Sequence, residues 1–580
     1  MKQEQKNYYN KISYSRFMII CSLVVFALIS AYIFYDYSSQ FRFSVQTGFY
    51  DEPFELKIYG NKNYDVYYTI DGSAPTTSSI KYEGPIQIID RSPSPNNFAD
   101  RDDLTTGFMT DKIDMFSLDA EDPGYVIPEY YVDKCTVVRA AIFDKNGESI
   151  EEISGVYFIG QELKEKYENL TVVSIAANPH DLFDYEDGIY ITGEDFDNYW
   201  TTFDTSLYSN EWWEYIWYMW PANYLRRGMA SEKEARIEII DGGSSSSQLC
   251  GIRIQGAGSR GKLPRNFKFI SREEYSGDRL FQIDLLENGI DAHRCILFGG
   301  GDDNVFKIND YLTNTMESEL DFATMDFRPC VCFIEGEYWG TYYLTEEYDE
   351  DYIENHYDVQ RDNVVIWKER EIDVGEEGDL ELYTDMEEFI ANNDMSLEEN
   401  YERACNLIDI ESFADYFAAQ FYIGRFGDWP GGNIAAWRSR TKNLNSKYQD
   451  GRWRWMLFDV NSDGQCLDID RVGDDTLEWI IDCQDIFASL IKNDSFKKLF
   501  CKRVEYIEDN IYSEDNVNNF IDEYEEEMLE PLCMSNMRFY SDERRDEVIT
   551  HAESIRDYLI NRRTYVDEII KEHFGEEYIK

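Results

Sequence analysis

The chain has 580 residues and 114 Asp and Glu against 55 Lys and Arg, a formal net charge of −59 that repels phosphate backbones and excludes nucleic acid as a partner. A hydrophobic share of 43% and an aromatic share of 16% exclude a disordered chain, and the length calls for two or three domains. Eleven cysteines without a C-x-x-C pair and five scattered histidines supply neither a zinc knuckle nor a Ser-His-Asp pattern, so any catalysis rests on carboxylates and bases other than imidazole.

The first element is the uncharged run 17–35, FMIICSLVVFALISAYIFY. At about 1.5 Å per residue it reaches across a hydrocarbon core of roughly 30 Å. Lys2, Lys6, Lys11 and Arg16 precede it and Asp36 follows. The positive-inside rule therefore predicts a single-pass helix in the cell membrane, with residues 1–16 cytoplasmic and the C-terminal body extracytoplasmic. No A-x-A site follows the run, which favours an uncleaved anchor over a signal peptide.

Residues 40–160 alternate in the strand manner, as in FELKIYG, VYYTIDGS, PIQII, TVVRAAIFDKNG and GVYFIG, with Gly, Pro, Asn and Asp turns between. The expectation is an Ig-like β-sandwich. The stretch YYTIDGSAPTTSSIKYEGPIQI, with VVRAAIFDKNGES further on, resembles the chitobiase/β-hexosaminidase C-terminal-type domain, and that resemblance implies an accessory spacer. Residues 91–124 break the pattern and are read as a loop.

Over 170–575, strand-like stretches such as ARIEII, CGIRIQG, NFKFISR, CVCFIEG and NVVIWKE come first, and helical patterns dominate after Leu380. This predicts an α+β domain with a helical C-terminal lobe, interrupted by an exposed acidic insertion at 369–385. The whole chain is thus a multidomain protein of anchor, β-sandwich and α+β domain.

Within the last domain, ESFADYFAAQFYIG places Phe413, Phe417 and Phe421 on one helix face. Gly427 ends the helix, and Asp428-Trp429-Pro430-Gly431-Gly432-Asn433 follows. IAAWRSR and RWRWMLF then form a predicted β-hairpin, with Asp459 directly after it. Antiparallel pairing brings Asn433, before the first strand, beside Asp459, after the second, and so gathers Asp428, Asn433 and Asp459 into one pocket. Such a trio suits phosphoryl transfer to a hydroxyl: one carboxylate deprotonates the acceptor, and an Asn and a second Asp hold Mg²⁺.

The stretches VVSIAANPHDLFDYEDGIYITG, GIRIQGAGSRGKLPRNFKFISREEY, CILFGGGDDNVFKINDYL, VCFIEGEYWGTYYLTEEYDEDYI, NVVIWK, GDWPGGNIAAW and RWRWMLFDVNSDG resemble the CotH kinase family, atypical protein kinases first associated with spore coats. The resemblance implies transfer of the ATP γ-phosphoryl group to Ser or Thr of a protein substrate that the sequence does not name. It implies Asp428 as the catalytic-loop acid and Asp459 as the metal-binding acid; Asn433, from the hairpin geometry, and Asn461, an Asn that can still ligate Mg²⁺, are the further metal ligands expected. The family's SR-x-x-P-[KQ]-K-S-F-[KR] strand reads SRGKLPRNFK here, so the phosphate-gripping base falls on Lys268 or Arg265, which lie on opposite strand faces, with Arg260 also on the nucleotide-binding side. Glu346 matches a family acid and would pair with that base. The family's D-L-D reads Asp459-Val460-Asn461, one carboxylate fewer.

Two other readings share these residues. D-x-N-x-D-G at 459–464, with Asp470 at position twelve, opens a calcium loop that would hold Ca²⁺ over 459–470. The alternative function is a non-catalytic cell-surface adhesion or scaffold protein on a kinase-like fold.

Overall fold

The computed structural model describes residues 40–60, 64–108, 124–202, 217–443, 445–461 and 465–578. The expected anchor at 17–35 lies outside the described residues. Among those described, no helix is long and apolar enough to cross a membrane. The chain divides into two units: Met1–Arg91, Cys135–Glu168 and Gly243–Ser245 form the first, and Ser92–Lys134, Asn169–Gly242 and Ser246–Lys580 the second.

Among its described residues, the first unit is built of strands and one short helix, Gln161–Tyr167. Its strands are β1 (Arg42–Phe43), β2 (Gly48–Tyr50), β3 (Phe54–Leu56), β4 (Ile58–Tyr59), β5 (Asp65–Thr69), β6 (Ile80–Lys81), β7 (Ile86–Ile88), β8 (Thr136–Phe143) and β9 (Ser149–Ile159). Five of them pair in the order β2-β9-β8-β5-β6, and β1 pairs with β4 and β3 with β7. Alternation drives the assembly. In β7, Ile86 and Ile88 turn inward while Gln87 faces water, and they join Leu56, Val138, Ala140 and Tyr157 in one core.

The segment expected as a loop at 91–124 is corrected in extent and in allegiance. Ser92–Lys134 belongs to the second unit. The Glu337 carboxylate accepts the backbone N–H groups of Asn97 at 2.6 Å, Phe98 at 3.1 Å and Ala99 at 2.8 Å. Phe98 stacks on Phe183 with ring centres 4.5 Å apart. Side chains of the larger unit satisfy this backbone where a sandwich ladder would otherwise do so, which is why the segment shows no alternation.

The second unit begins with a closed seven-stranded barrel. Its strands are β10 (Val172–Ala177), β11 (Lys233–Asp241), β12 (Ser244–Ile254), β13 (Phe267–Ile270), β14 (Arg294–Phe298), β15 (Phe327–Ile334) and β16 (Glu337–Thr345), ordered β10-β11-β12-β13-β14-β16-β15. Parallel pairing of β10 with β15 closes it. Cys330 and Cys332, two apart in β15, are both buried.

A four-stranded sheet follows, built from β17 (Val364–Lys368), β18 (Glu371–Val374), β19 (Ala435–Ser439) and β20 (Arg454–Met456) in the order β18-β17-β19-β20. The acidic stretch at 369–385 is therefore not a plain insertion. It supplies edge strand β18, where Glu371 and Asp373 are exposed and Ile372 and Val374 half-buried, and it starts the helix Leu380–Asn392. The remainder is helical, with Ile410–Tyr422, Asp494–Tyr506, Glu514–Tyr540 and Arg545–Phe574 as its main helices. Phe413, Phe417 and Phe421 are fully buried among Trp455, Phe487 and Phe500. The order is strand-rich first and helical second.

Candidate active site

The predicted hairpin is present: Ala435 pairs with Met456, Ala436 with Trp455 and Trp437 with Arg454. Asn433 lies two residues before Ala435 and Asp459 three after Met456, so both stand at the same end of the ladder. The helix Ile410–Tyr422 packs beneath, Phe413 meeting the Trp455 ring edge-on at 4.6 Å.

Trp429 pins the loop before the hairpin. Its buried indole donates to Tyr416 Oη at 2.9 Å, and its carbonyl accepts the Trp479 indole N–H at 2.8 Å. Anchoring the bulky ring leaves its neighbour Asp428 exposed. Asn433 adopts φ +49°, a left-handed conformation Asn tolerates, and donates its amide to Asp428 Oδ2 at 2.9 Å. With Nδ2 committed to the carboxylate, the Asn433 carbonyl oxygen is the end left to face a cation.

Asp459 also sits at positive φ, +55°. Asn461 Nδ2 donates to Asp459 Oδ1 at 2.6 Å and to Asp310 Oδ2 at 2.9 Å, while Asp310 Oδ1 accepts the Val460 N–H at 2.8 Å. A carboxylate at position 461 could not make these two donations, so the Asn there ties two acids together and Asp310 supplies the second carboxyl group. Asn461 Oδ1 in turn accepts the Asp302 N–H at 3.2 Å. The glycine run before Asp302 permits that approach: a Cβ on Gly301, at φ +60°, would lie 2.9 Å from Asn461 Oδ1. Arg425 donates to the carbonyls of Phe458 and Asp459 and holds the strand end in place.

The electrostatics follow from this crowding. Burial, then the neighbouring Asp310, push the Asp459 carboxyl up to about 6, with Asp302 adding to the rise and Arg425 and Asn461 opposing it. Burial also raises Asp310. Nearby, burial lifts the Asp303 carboxyl and depresses the Lys307 ammonium.

The predicted basic residues lie elsewhere. Arg265 is fully buried, its guanidinium 4.0 Å over the Tyr224 ring and 4.9 Å over Tyr190, with Nε on the Arg260 carbonyl. Arg260 is buried too, donating to the carbonyls of Gly256 at 2.7 Å and Arg226 at 3.0 Å. Both serve the loop between β12 and β13 rather than the Asp459 centre. Lys268 stands on the outer face of β13, opposite the buried Phe267 and Phe269, in an ion pair with Glu347. The acid beside Lys268 is thus Glu347 and not Glu346, because successive residues leaving β16 point opposite ways. Glu346 instead faces the His356 ring at 2.7 Å and the Asp326 N–H at 3.0 Å. Lys268 lines a cavity of about 650 Å³ with Arg253, Arg294, Glu347, Asp349 and Arg440, and neither Asp428, Asn433 nor Asp459 borders it.

Asp310, Asp302, Arg425 and Lys262 escaped the sequence reading. Lys262 forms an ion pair with Asp302. The calcium-loop reading at 459–470 runs through residues 462–464, which lie outside the described residues; strand β20 leads into it.

Residues 252–566, more than half of the chain, match the family model described as CotH kinase protein. The chain belongs to that family. Residues 50–154 match a second model, described as Fn3 associated, over the strand-rich first unit and its insertion. No curated protein matches the chain. The CotH match begins within β12 and ends within the helix Arg545–Phe574, so it takes in every residue of the Asp428 and Asp459 groups. Kinase-like proteins generally use ATP and Mg²⁺. The donor set of this CotH chain fits a hard divalent cation: Asp459, Asp310 and Asp302 crowd one another enough to raise the Asp459 carboxyl, and the Asn433 carbonyl oxygen stands at the same end of the hairpin.

Proposed function

We propose that this chain is a protein kinase that transfers the ATP γ-phosphoryl group to a Ser or Thr hydroxyl, and that the 17–35 helix holds its body outside the cell membrane. The observation that carries the reading is the shared hairpin end, where the Asp428–Asn433 pair and the Asp459–Asn461–Asp310 cluster meet the two strands. Asp428, exposed on a loop that Trp429 anchors, takes the proton of the acceptor hydroxyl. That oxygen bonds to the γ-phosphorus as the bond to the β–γ bridging oxygen breaks, and ADP leaves. Asp459, with its carboxyl at about 6, is ionised at neutral pH and with Asn433 would hold Mg²⁺, which supplies charge neutralisation for the phosphates. Asn461 and Asp310 orient Asp459.

The test is incubation of the purified full chain with radiolabelled ATP and Mg²⁺, beside Asp428→Ala and Asp459→Ala. Label should enter the protein and be lost in both variants. Equal labelling in all three would overturn the assignment, and no labelling, together with a melting temperature indifferent to Mg·ATP, would favour the non-catalytic scaffold. For the placement, protease added to intact cells should digest the body; complete protection would refute it.

A further inference from the structure

We infer that Lys262, rather than Lys268, Arg265 or Arg260, grips the phosphates of the nucleotide; this rests on the kinase reading above. Lys262 lies on the loop joining β12 to β13, and its ammonium pairs with Asp302. The Asp302 N–H donates to Asn461 Oδ1 at 3.2 Å, and Asn461 Nδ2 donates to Asp459 Oδ1 at 2.6 Å. Two residues therefore separate the ammonium from the proposed metal-binding carboxylate, and Asp302 is one of the charges that Asp459 senses.

Two other cations of this neighbourhood, Arg425 and Lys307, are committed, and Lys368 of β17, opposite Ala435, rests 3.7 Å over the Phe458 ring. Arg425 gives its guanidinium to Gln420 and to the carbonyls of Phe458 and Asp459. Lys307 is buried and donates to the carbonyls of Gly299 and Asn304. Lys262 differs in its partner: the Asp302 side chain is 45% exposed, against 16% for Lys262 itself. A half-exposed carboxylate is an exchangeable acceptor, and an ammonium carries three donors, so an incoming phosphate takes over a pairing already formed at low desolvation cost.

The loop is also held in register for this task. Tyr125 Oη accepts the Leu263 N–H at 2.9 Å, donates to the Leu263 carbonyl at 3.0 Å, and accepts Asn304 Nδ2 at 2.9 Å. Thr105 Oγ1 donates to the Gly261 carbonyl at 2.6 Å, and a Cβ on Gly261 would collide with the Tyr218 backbone. The Lys262 ammonium rests 4.5 Å over the Tyr218 ring. Both Tyr125 and Thr105 come from the Ser92–Lys134 insertion, so this segment positions the phosphate-binding loop. A loop fixed before binding loses little freedom when the nucleotide arrives.

The experiment measures calorimetric affinities of the full chain, with Mg²⁺, for ATP and for adenosine, in the wild type and in Lys262→Ala, Lys262→Arg and Lys268→Ala. Lys262→Ala should weaken ATP binding about 10- to 100-fold, the worth of a hydrogen bond to a charged group, and leave adenosine unchanged. Lys262→Arg should recover part of the loss, and Lys268→Ala should bind ATP as the wild type does. If the wild type binds ATP and Lys268→Ala loses it while Lys262→Ala does not, the inference fails and the kinase reading stands. If the wild type binds no ATP at all, both fall. Equal loss of ATP and adenosine in Lys262→Ala would show a structural role and also overturn the inference.

Discussion

Asp349 is a buried carboxyl whose removal should change how stability depends on pH. It caps the helix Glu350–Tyr357, accepting the N–H groups of Asp351 and Tyr352, both at 2.9 Å, and its other oxygen meets Arg294 at 2.9 Å. Arg294 also serves Glu350 at 3.7 Å, so one guanidinium is shared among crowded acids. Burial, then Glu347, push Asp349 from its ordinary 3.8 up to about 7. A carboxyl that holds its proton more tightly in the folded state makes that state less stable as pH rises between about 4 and 7. At 1.36 kcal/mol per pH unit the full effect is about 4 kcal/mol. Asp349→Asn keeps the cap, since Asn caps as well as Asp, and removes the titration. In the folded wild type that carboxyl is charged only above about pH 7, and its attraction to Arg294 is already contained in the shift. Relative to wild type, the variant should therefore gain about 2–4 kcal/mol between pH 4 and pH 8. Urea unfolding followed by tryptophan fluorescence at pH 4, 5.5, 7 and 8 measures this gap. A gap that stays constant, or that widens in favour of the wild type as pH rises, would refute the reasoning.

Glu337→Ala strips the acceptor from three backbone N–H groups of the insertion and should cost about 3–5 kcal/mol, with faster proteolytic cleavage inside Ser92–Lys134 as a local readout. Tyr125→Phe leaves the Leu263 N–H without its acceptor and should lower stability by about 1–3 kcal/mol, seen as a shift in the urea midpoint; an unchanged midpoint would show the hydroxyl is dispensable.

How much of the site can be read from the chain depends on how local each contact is. The hairpin was legible because Trp453, Trp455 and Leu457 alternate beside a loop rich in Gly and Pro, and antiparallel pairing then fixes which ends meet. The large helix beneath it was legible from Phe413, Phe417 and Phe421. Asp310 was not, because it stands 150 residues before Val460 and only the tertiary fold brings them together. Glu346 and Glu347 are neighbours of identical chemistry, and nothing but the direction of the backbone leaving β16 decides which faces Lys268. Arg265 carries the residue type of a phosphate ligand, yet an aromatic cage of Tyr190 and Tyr224 claims it, a use that charge alone does not reveal. The insertion misled for a related reason: the backbone N–H groups of Asn97, Phe98 and Ala99 end on the Glu337 side chain, and the Thr105 side chain ends on the distant Gly261 carbonyl, and such bonds leave no periodic trace.

Because Ser92–Lys134 is encoded between β7 and β8, the two units cannot be traded as separate modules. A gene fragment opening at the start of the CotH match, residue 252, would lose strands β10 and β11 of the barrel and, with the insertion, the groups that Glu337 and Leu263 bind. Any shuffling event that replaced the sandwich cleanly would take out a piece of its neighbour, so inheritance of the pair together is written into the chain path itself.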